Sequence, residues 1–177
     1  MKEKNTVYYM VWKTTVAKRE EDEVYYYDHL FKNGKWVPDN NHVILDHLFG
    51  FDPSEPEDSP YRFGSTSVLM EMHEITEEEA VSAMNQQILD ILKEKWKCQF
   101  MKKKEEWGRE PCGKPANYAE TRFKLNGITL SIRPEDIGLD TGSYEQGFIK
   151  SIQSDIEKDL KEYGAADIRN YGFPDQP

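Results

Sequence analysis

Cysteines are few in this sequence, and long apolar runs are missing. Its 177 residues include two cysteines, Cys98 and Cys112, which are too few for the disulfide framework of a small secreted domain. No apolar stretch approaches the roughly 20 residues that a membrane-spanning helix needs. The stretch from Thr6 to Trp12 is aromatic and is followed at once by Lys13, unlike a secretory signal. We therefore expect a cytoplasmic protein that does not enter a membrane.

Sequence motifs of the common enzyme classes are also missing. The chain has no Gly-x-Gly-x-x-Gly, no phosphate-binding loop, no Gly-x-Ser-x-Gly and no Cys-x-x-Cys. Cys98 follows lysines but has no neighbouring histidine to act as its base. Carboxylates are abundant, and no pair of them stands out as an acid and a base. We predict no catalytic residue, no metal and no cofactor, and we favour a protein that is not an enzyme.

Positive charge is scarce relative to negative charge. The chain has 23 lysines and arginines against 33 aspartates and glutamates, a formal net charge of −10. This balance disfavours a general affinity for nucleic acid or anionic membranes and favours a basic partner. The charge is uneven along the chain: −1 for residues 1–50, −9 for 51–92, +5 for 93–124 and −5 for 125–177.

The length and the aromatic content predict one folded domain. The chain has 8 phenylalanines, 4 tryptophans and 10 tyrosines, which argues against disorder, and no Pro/Gly/Ser-rich linker divides it. We predict a single domain over residues 1–177 with a loosely held C-terminal tail over about 165–177.

Alternating and β-branched residues predict the strands. Residues 5–16 carry apolar groups on both alternating sets, which favours one strand covered on both faces, and residues 17–23 form a charged connection after it. Asn33-Gly34 and Asn126-Gly127 favour tight hairpin turns. We predict further strands over residues 24–31, 36–37 and 65–75, and a hairpin over 121–132.

A long helix is predicted to begin at Thr76. Thr76 and Glu79 have the spacing of a capping box, in which each side chain bonds to the backbone amide of the other residue. Apolar residues then recur at steps of three and four, namely Val81, Met84, Ile88, Ile91 and Leu92. Trp96, Phe100 and Trp107 lie about a quarter turn away from that stripe. A helix that reaches Trp107 therefore breaks, wraps another element or projects beyond the core.

A second helix is predicted near the C-terminus. Ser143 and Gln146 have the capping-box spacing, and Gly164 can end the helix in a left-handed conformation. Its apolar stripe comprises Phe148, Ile149, Ile152, Ile156, Leu160 and Tyr163. Together the elements predict an α+β fold, an antiparallel sheet with two long amphipathic helices packed on one face.

The acidic block over residues 51–92 supplies the candidate partner-binding residues. Carboxylates that share one face can steer a partner's lysines and arginines toward it and can compete with phosphate there. The alternative is that acidic loops and helix starts are ordinary solvated surface. The partner-binding residues that we predict are Asp52, Glu55, Glu57, Asp58, Glu77, Glu78 and Glu79.

The lysine-rich segment over residues 93–114 offers a different function. Its lysines are interleaved with Trp96, Phe100 and Trp107, a combination that can bind single-stranded nucleic acid by charge attraction and base stacking. The same pattern arises when the rings are core and the lysines solvate the outer side of a helix. Five acidic residues also lie within residues 93–124, so we disfavour direct nucleic-acid binding.

The histidines offer a third function, a small metal-dependent or histidine-based enzyme. His42 and His47 are five residues apart, whereas the helical zinc pair is four apart. A site assembled from His29, His47 and His73 with the tyrosines at 25–27 stays open. We favour instead a non-enzymatic acidic interaction domain, an inhibitor of the immunity-protein or phage anti-defence type. Its expected partner is a basic protein surface, such as that of a nuclease or another nucleic-acid-binding protein.

Overall fold

The structure is a computed structural model. The residues that it describes are 5–30, 34–42, 44–45, 56–58, 71–107, 115–140 and 144–172. Over these residues the fold is α+β, with antiparallel sheets and two helices, as predicted. The chain separates into two compact units, residues 1–86 and 87–177. The expectation of a single domain stays a prediction.

The N-terminal unit contains a five-stranded antiparallel sheet. Its strands are β1 (Thr6–Val11), β2 (Thr15–Glu20), β3 (Glu23–Asp28), β4 (Lys35–Pro38) and β5 (Met72–Ile75). They are arranged in the order β4-β3-β2-β1-β5. Because β1 pairs on both sides, its backbone is shielded from edge pairing by β2 and β5.

One face of this sheet carries a compact apolar cluster. Val11 and Ala17 are fully buried, and Tyr9, Val24 and Met72 are nearly so. Their positions alternate along the strands, as expected when one face of a sheet is covered. Burial of this face therefore fixes the register of β1 against β2 and β5.

A short helical segment joins that cluster. Ile44 is buried with it, and Leu45 packs against it. The Asp39 carboxylate accepts hydrogen bonds from the backbone amides of Ile44 at 2.8 Å and Leu45 at 3.0 Å, as an N-terminal cap does. The sequence also favours a short helix over residues 42–49, after possible caps at residues 39–41; residues 43 and 46–49 of it lie outside the described residues.

The prediction of one strand over residues 5–16 is wrong. Trp12 and Lys13 have φ angles of 51° and 59°, and the chain reverses there into β2. Positive φ in a hairpin turn ordinarily selects glycine, asparagine or aspartate, so the turn carries no recognisable sequence signal. The segment that was predicted to be a charged connection, residues 17–23, is consequently mostly strand.

The predicted single antiparallel sheet is not observed, because the C-terminal strands form sheets of their own. The C-terminal unit contains β6 (Pro115–Ala116), β7 (Glu120–Leu125), β8 (Ile128–Ile132), β9 (Tyr144–Glu145) and β10 (Ala166–Tyr171). The hairpin β7-β8 belongs to a three-stranded sheet of order β10-β7-β8, and β6 pairs with β9. Asn126 and Gly127 have φ angles of 49° and 80°, which confirms the predicted turn.

The long helix, α1 (Glu77–Trp107), is continuous over 31 residues, which excludes a break, one of the three alternatives that the sequence left open. Six of its buried side chains recur at four-residue steps: Ala80, Met84, Ile88, Leu92, Trp96 and Phe100. Four residues advance the helix by about 400°, so the buried line rotates by about 40° per step. The two ends of this line lie on nearly opposite sides of the helix. The boundary between the two compact units falls within it, at Gln86 and Gln87.

The second helix, α2 (Gln146–Glu162), has its N-cap two residues later than predicted. Its N-cap position is Glu145, without a side-chain hydrogen bond, so the prediction of Ser143 as the cap is wrong. Gly164 has a φ of 80°, and the left-handed ending is confirmed. That both helices are amphipathic and pack on one face of a sheet stays a prediction.

The segment predicted to be a loosely held tail, residues 165–177, begins with β10. The strand pairs with β7, and the Ala119 amide donates to the Tyr171 carbonyl at 3.1 Å. A Cβ at Gly172 would lie 2.4 Å from the Ala119 nitrogen, so this close approach of two backbones requires glycine. Residues 173–177 lie outside the described residues.

Candidate partner-binding site

The start of α1 is built by the predicted capping box. The Glu79 amide donates to the Thr76 hydroxyl at 3.2 Å, and the Glu79 carboxylate accepts from the Thr76 amide at 2.8 Å. Hydrogen bonds from the Thr76 backbone, and then from its hydroxyl, lower the pKa of Glu79. Glu79 is therefore an ionised cap as well as an exposed acid.

Glu77 and Glu78 complete the acidic first turn of α1. Both are exposed, and the Tyr8 hydroxyl of β1 donates to the Glu77 side chain. Burial, followed by the charges of Glu77 and Glu20, raises the pKa of Tyr8. Tyr8 thus stays a neutral hydrogen-bond donor, and Glu77 joins the helix start to the sheet.

The acidic loop is described at three positions only. Glu57 and Asp58 are exposed in a turn, whereas Asp52 and Glu55 lie outside the described residues. That the loop and the helix start form one surface stays a prediction. Within the described ranges, no lysine or arginine forms an ion pair with any of the five described members of the set.

The lysine-rich part of α1 is arranged differently. Its lysines pair with acids of residues 87–177, namely Lys93 with Asp136, Lys95 with Asp159, Lys97 with Glu94, Lys103 with Asp155 and Lys104 with Asp140. Trp96 and Phe100 are buried, and the Trp96 indole donates to Asp159 at 2.9 Å. Because stacking on bases requires exposed rings, these two rings do not provide a nucleic-acid interface.

The ion pairs between α1 and α2 show that the two helices are antiparallel, because later lysines of α1 pair with earlier residues of α2. Lys95 lies 2.8 Å from Asp159, and Lys103 lies 2.5 Å from Asp155 and 2.6 Å from Ser151. For Trp96 and Phe100, the alternative interpretation of the lysine-rich segment therefore holds: these rings are part of the core, and the lysines lie around them. Trp107 is 42% exposed and packs against Phe148.

A second cluster of side chains lies on the face of the N-terminal sheet opposite the apolar cluster. Tyr8, Lys18 and Tyr25 are cross-strand neighbours, and Trp36 of β4 reaches over them. The ring centroids of Tyr8 and Trp36 are 6.4 Å apart. We call these four residues the aromatic face.

Lys18 lies at the centre of the aromatic face. Its ammonium nitrogen lies 4.9 Å from the Trp36 ring centroid and 5.4 Å from that of Tyr25. The same nitrogen lies 2.5 Å from a carboxylate oxygen of Glu20. Two rings and one carboxylate therefore surround a cation, an arrangement of the kind that binds ammonium and guanidinium groups.

The aromatic face was not predicted from the sequence, although one of its residues, Tyr25, belongs to a conspicuous run of tyrosines. The triplet Tyr25 to Tyr27 was visible, but Lys18 and Glu20 fell in a segment that was predicted to be a connection. The segment carries no regular alternation of apolar and polar residues, because Val16, Lys18 and Glu20 share one face of the strand and only Val16 of them is apolar.

The histidines do not form a described metal site. His47 lies outside the described residues, and the ends of β3 and β5, near His29 and His73, are three strand spacings or about 14 Å apart. Among the described residues, no group of three or more His, Cys, Asp or Glu side chains is placed to hold a metal.

A cleft in the C-terminal unit contains two tyrosines. It has a volume of about 160 Å³ and is lined in part by Tyr118, Asp140 and Tyr144. Burial raises the pKa of Tyr118 to about 12, and burial followed by a hydrogen bond to Asp140 raises the pKa of Tyr144 to about 12. Both phenols are therefore neutral at physiological pH and are unsuited to act as bases.

Within the described part of the chain, neither helix is both long and apolar enough to cross a membrane.

Comparisons with known proteins give no match. No family model matches the chain, and neither a curated protein nor a solved structure matches it.

Proposed function

We propose that the chain is a non-enzymatic, acidic interaction protein that covers a basic, nucleic-acid-binding surface of another protein. It would thus be an inhibitor of the immunity-protein or phage anti-defence type. The residues that we assign to binding are Asp52, Glu55, Glu57, Asp58, Glu77, Glu78 and Glu79. A cytoplasmic location belongs to the same proposal.

The observation that carries the proposal is the unequal pairing of charge in the two units. Residues 1–86 hold 17 acidic and 8 basic side chains, a net charge of −9, whereas residues 87–177 hold 16 and 15, a net charge of −1. The lysines of α1 pair with acids of their own unit. The acids at the start of α1 have no such pairs among the described residues, so their field is available to a partner.

Mimicry of a polyanion follows from this distribution. An uncompensated negative surface raises the rate of encounter with a basic protein, and the effect weakens as salt screens the charges. Carboxylates that bind the lysines and arginines of the partner also prevent those side chains from binding phosphate. Inhibition would therefore require no catalytic residue of this chain.

A charge-matched pair of variants tests the proposal. The binding variant Glu57→Gln, Asp58→Asn, Glu77→Gln and Glu78→Gln removes four charges from the proposed surface. The control variant Glu94→Gln, Glu105→Gln, Glu106→Gln and Glu135→Gln removes four exposed charges from the C-terminal unit. Basic proteins captured from host extract by the unmodified chain are purified, and their association rates are measured by surface plasmon resonance.

We expect the binding variant to associate about tenfold more slowly than the unmodified chain at low salt, and the control variant to change the rate by less than about twofold. A labelled oligonucleotide bound to the captured protein should be displaced by the unmodified chain and poorly by the binding variant. Equal effects of the two variants would remove the assigned residues from the mechanism. Failure to displace the oligonucleotide would remove the inhibitory role.

A further inference from the structure

The Lys18 ammonium group lies against two aromatic rings and one carboxylate. Trp36 and Tyr25 present their rings to the ammonium group, and Glu20 accepts its hydrogen bond. Only 17% of the Lys18 side chain and 23% of the Glu20 side chain are exposed. The site is therefore partly shielded from water, a condition in which interactions between a cation and aromatic rings are strongest.

The geometry suits a guanidinium group better than an ammonium group. A guanidinium is planar, stacks on aromatic rings and is more weakly hydrated than an ammonium. It can also donate two parallel hydrogen bonds to a carboxylate, whereas Lys18 donates one to Glu20. A lysine on a flexible four-carbon stem can leave the rings and remain solvated.

We propose that Tyr25, Trp36 and Glu20 form a binding site for an arginine side chain of the partner, and that Lys18 holds the place of this arginine in the free protein. The partner's guanidinium stacks on the two rings and bonds to Glu20 while the Lys18 ammonium moves into solvent. The site would give a partner a specific anchor that diffuse charge attraction does not provide, because aromatic and arginine anchors carry much of the energy of protein interfaces.

The surroundings of the site favour a basic occupant. The Tyr25 hydroxyl donates to Glu23, and the Tyr8 hydroxyl donates to Glu77 at the start of α1. Tyr8 in turn contacts Trp36. The aromatic face is thus continuous with the acidic first turn of α1, and an arginine-rich segment of one partner can contact both. As far as it names the partner, this inference rests on the proposed function.

The site itself is tested without the partner. Binding of N-acetyl-arginine amide is followed by the indole signal of Trp36 in nitrogen-15 NMR spectra, which Trp36→Phe identifies. The variants are Lys18→Ala, which empties the site, and Lys13→Ala, which removes an equal charge from an exposed turn position. Lys18→Thr retains a strand-favouring side chain and replaces Lys18→Ala if the latter does not fold. N-acetyl-citrulline amide is the neutral control ligand.

We expect Lys18→Ala to bind the arginine amide about fivefold or more tightly than Lys13→Ala does. Addition of Glu20→Gln to Lys18→Ala should reverse most of that gain, and the citrulline amide should bind neither variant measurably. Equal affinities of the Lys18 and Lys13 variants, or equal binding of arginine and citrulline, would overturn the proposal. These outcomes do not depend on the acidic residues at 57, 58, 77 and 78, so failure here is distinguishable from failure of the proposed function.

Discussion

Residues 1–86 and residues 87–177 contain almost the same number of acidic side chains, 17 and 16, but 8 and 15 basic ones. In the C-terminal unit the added lysines lie on α1 and pair with acids on α2 and near the 3-10 helix Pro134–Ile137. At the start of α1, in the N-terminal unit, the acids serve as a helix cap and as hydrogen-bond acceptors. Similar acidic content thus supports packing in one unit and leaves a surface charge in the other.

The pairing of charges in the C-terminal unit also removes support from nucleic-acid binding by the lysine-rich segment. The lysine-rich segment and the acidic C-terminal segment look like separate charged regions along the sequence, +5 over residues 93–124 and −5 over 125–177. In the fold, several of their charges are partners. The following predictions test how far pairing in the C-terminal unit and its absence at the start of α1 determine stability.

The largest expected effect is at Asp159. This carboxylate is 6% exposed and accepts hydrogen bonds from Lys95 and from the buried Trp96 indole. Asp159→Ala leaves a buried donor without its partner and should lower the free energy of unfolding by about 3 kcal/mol. Urea denaturation followed by circular dichroism measures the loss. Asp159→Asn, which retains an acceptor for the indole, should cost less. Equal losses for the two variants would show that the indole bond does not matter.

Loss of the helix cap should have a smaller effect in the N-terminal unit. Thr76→Ala removes the hydroxyl that accepts the Glu79 amide and should cost about 1 kcal/mol. Ser82→Ala, at an exposed position in the same helix, is the control and should lie within about 0.5 kcal/mol of the unmodified chain. If Thr76→Ala were as neutral as the control, the capping box would not contribute to stability in solution.

The half-exposed pair of Lys103 and Asp155 should contribute less than the cap. Their side chains are 24% and 37% exposed, so solvent screens most of the attraction. We expect Lys103→Met to lower the free energy of unfolding by about 0.5 kcal/mol. The neighbouring Lys102→Met, at an exposed position, removes the same charge and should change stability less. A loss above 2 kcal/mol at Lys103 would mean that this pair is as important as Asp159.

The smallest expected effect is that acidification destabilises the start of α1 through protonation of Glu79. Folding lowers the pKa of Glu79 below its ordinary value of 4.5, so the ionised form is favoured by the folded state. The contribution is complete above pH 4.5 and is lost as pH falls through the lowered pKa. Glu79→Gln can still cap the Thr76 amide but does not titrate at this position. The unmodified chain should therefore lose more stability than Glu79→Gln between about pH 5 and pH 3.

The absence of any difference between the two acid titrations would contradict the pKa shift. Hydrogen exchange at the first amides of α1 provides a local measurement of the same effect. Exchange there should accelerate with acidification in the unmodified chain, relative to the intrinsic rate, more than in Glu79→Gln.

Local patterns predicted the elements whose signals are local. The box of Thr76 and Glu79, the Asn126-Gly127 turn and the left-handed ending at Gly164 are confirmed because each depends on a few adjacent residues. The turn at Trp12 and Lys13 was not predicted, since the conformation there is imposed by pairing of β1 with β2 rather than by residue preference.

Of the two candidate sites, the exposure of the acids could be predicted from the sequence, whereas the Lys18 site could not. Exposure of the acids at 57, 58 and 77–79 could be predicted from their charge, and the structure places all of them on the surface. The Lys18 site could not be predicted, because its parts come from β2, β3 and β4 and meet only when the sheet has its register. That the acidic loop joins the helix start stays a prediction.

By itself, the sequence determined that the chain is acidic, that a long helix begins after Thr76 and that the fold combines antiparallel strands with helices. Capping, turn preference and charge are properties of neighbouring residues, and they can be read along the chain. Only the tertiary structure decided which charges are paired and which rings are exposed, since both depend on contacts between residues far apart in sequence. The lysines of α1 thereby became structural, whereas Lys18 came to occupy a site formed by two aromatic rings and a carboxylate.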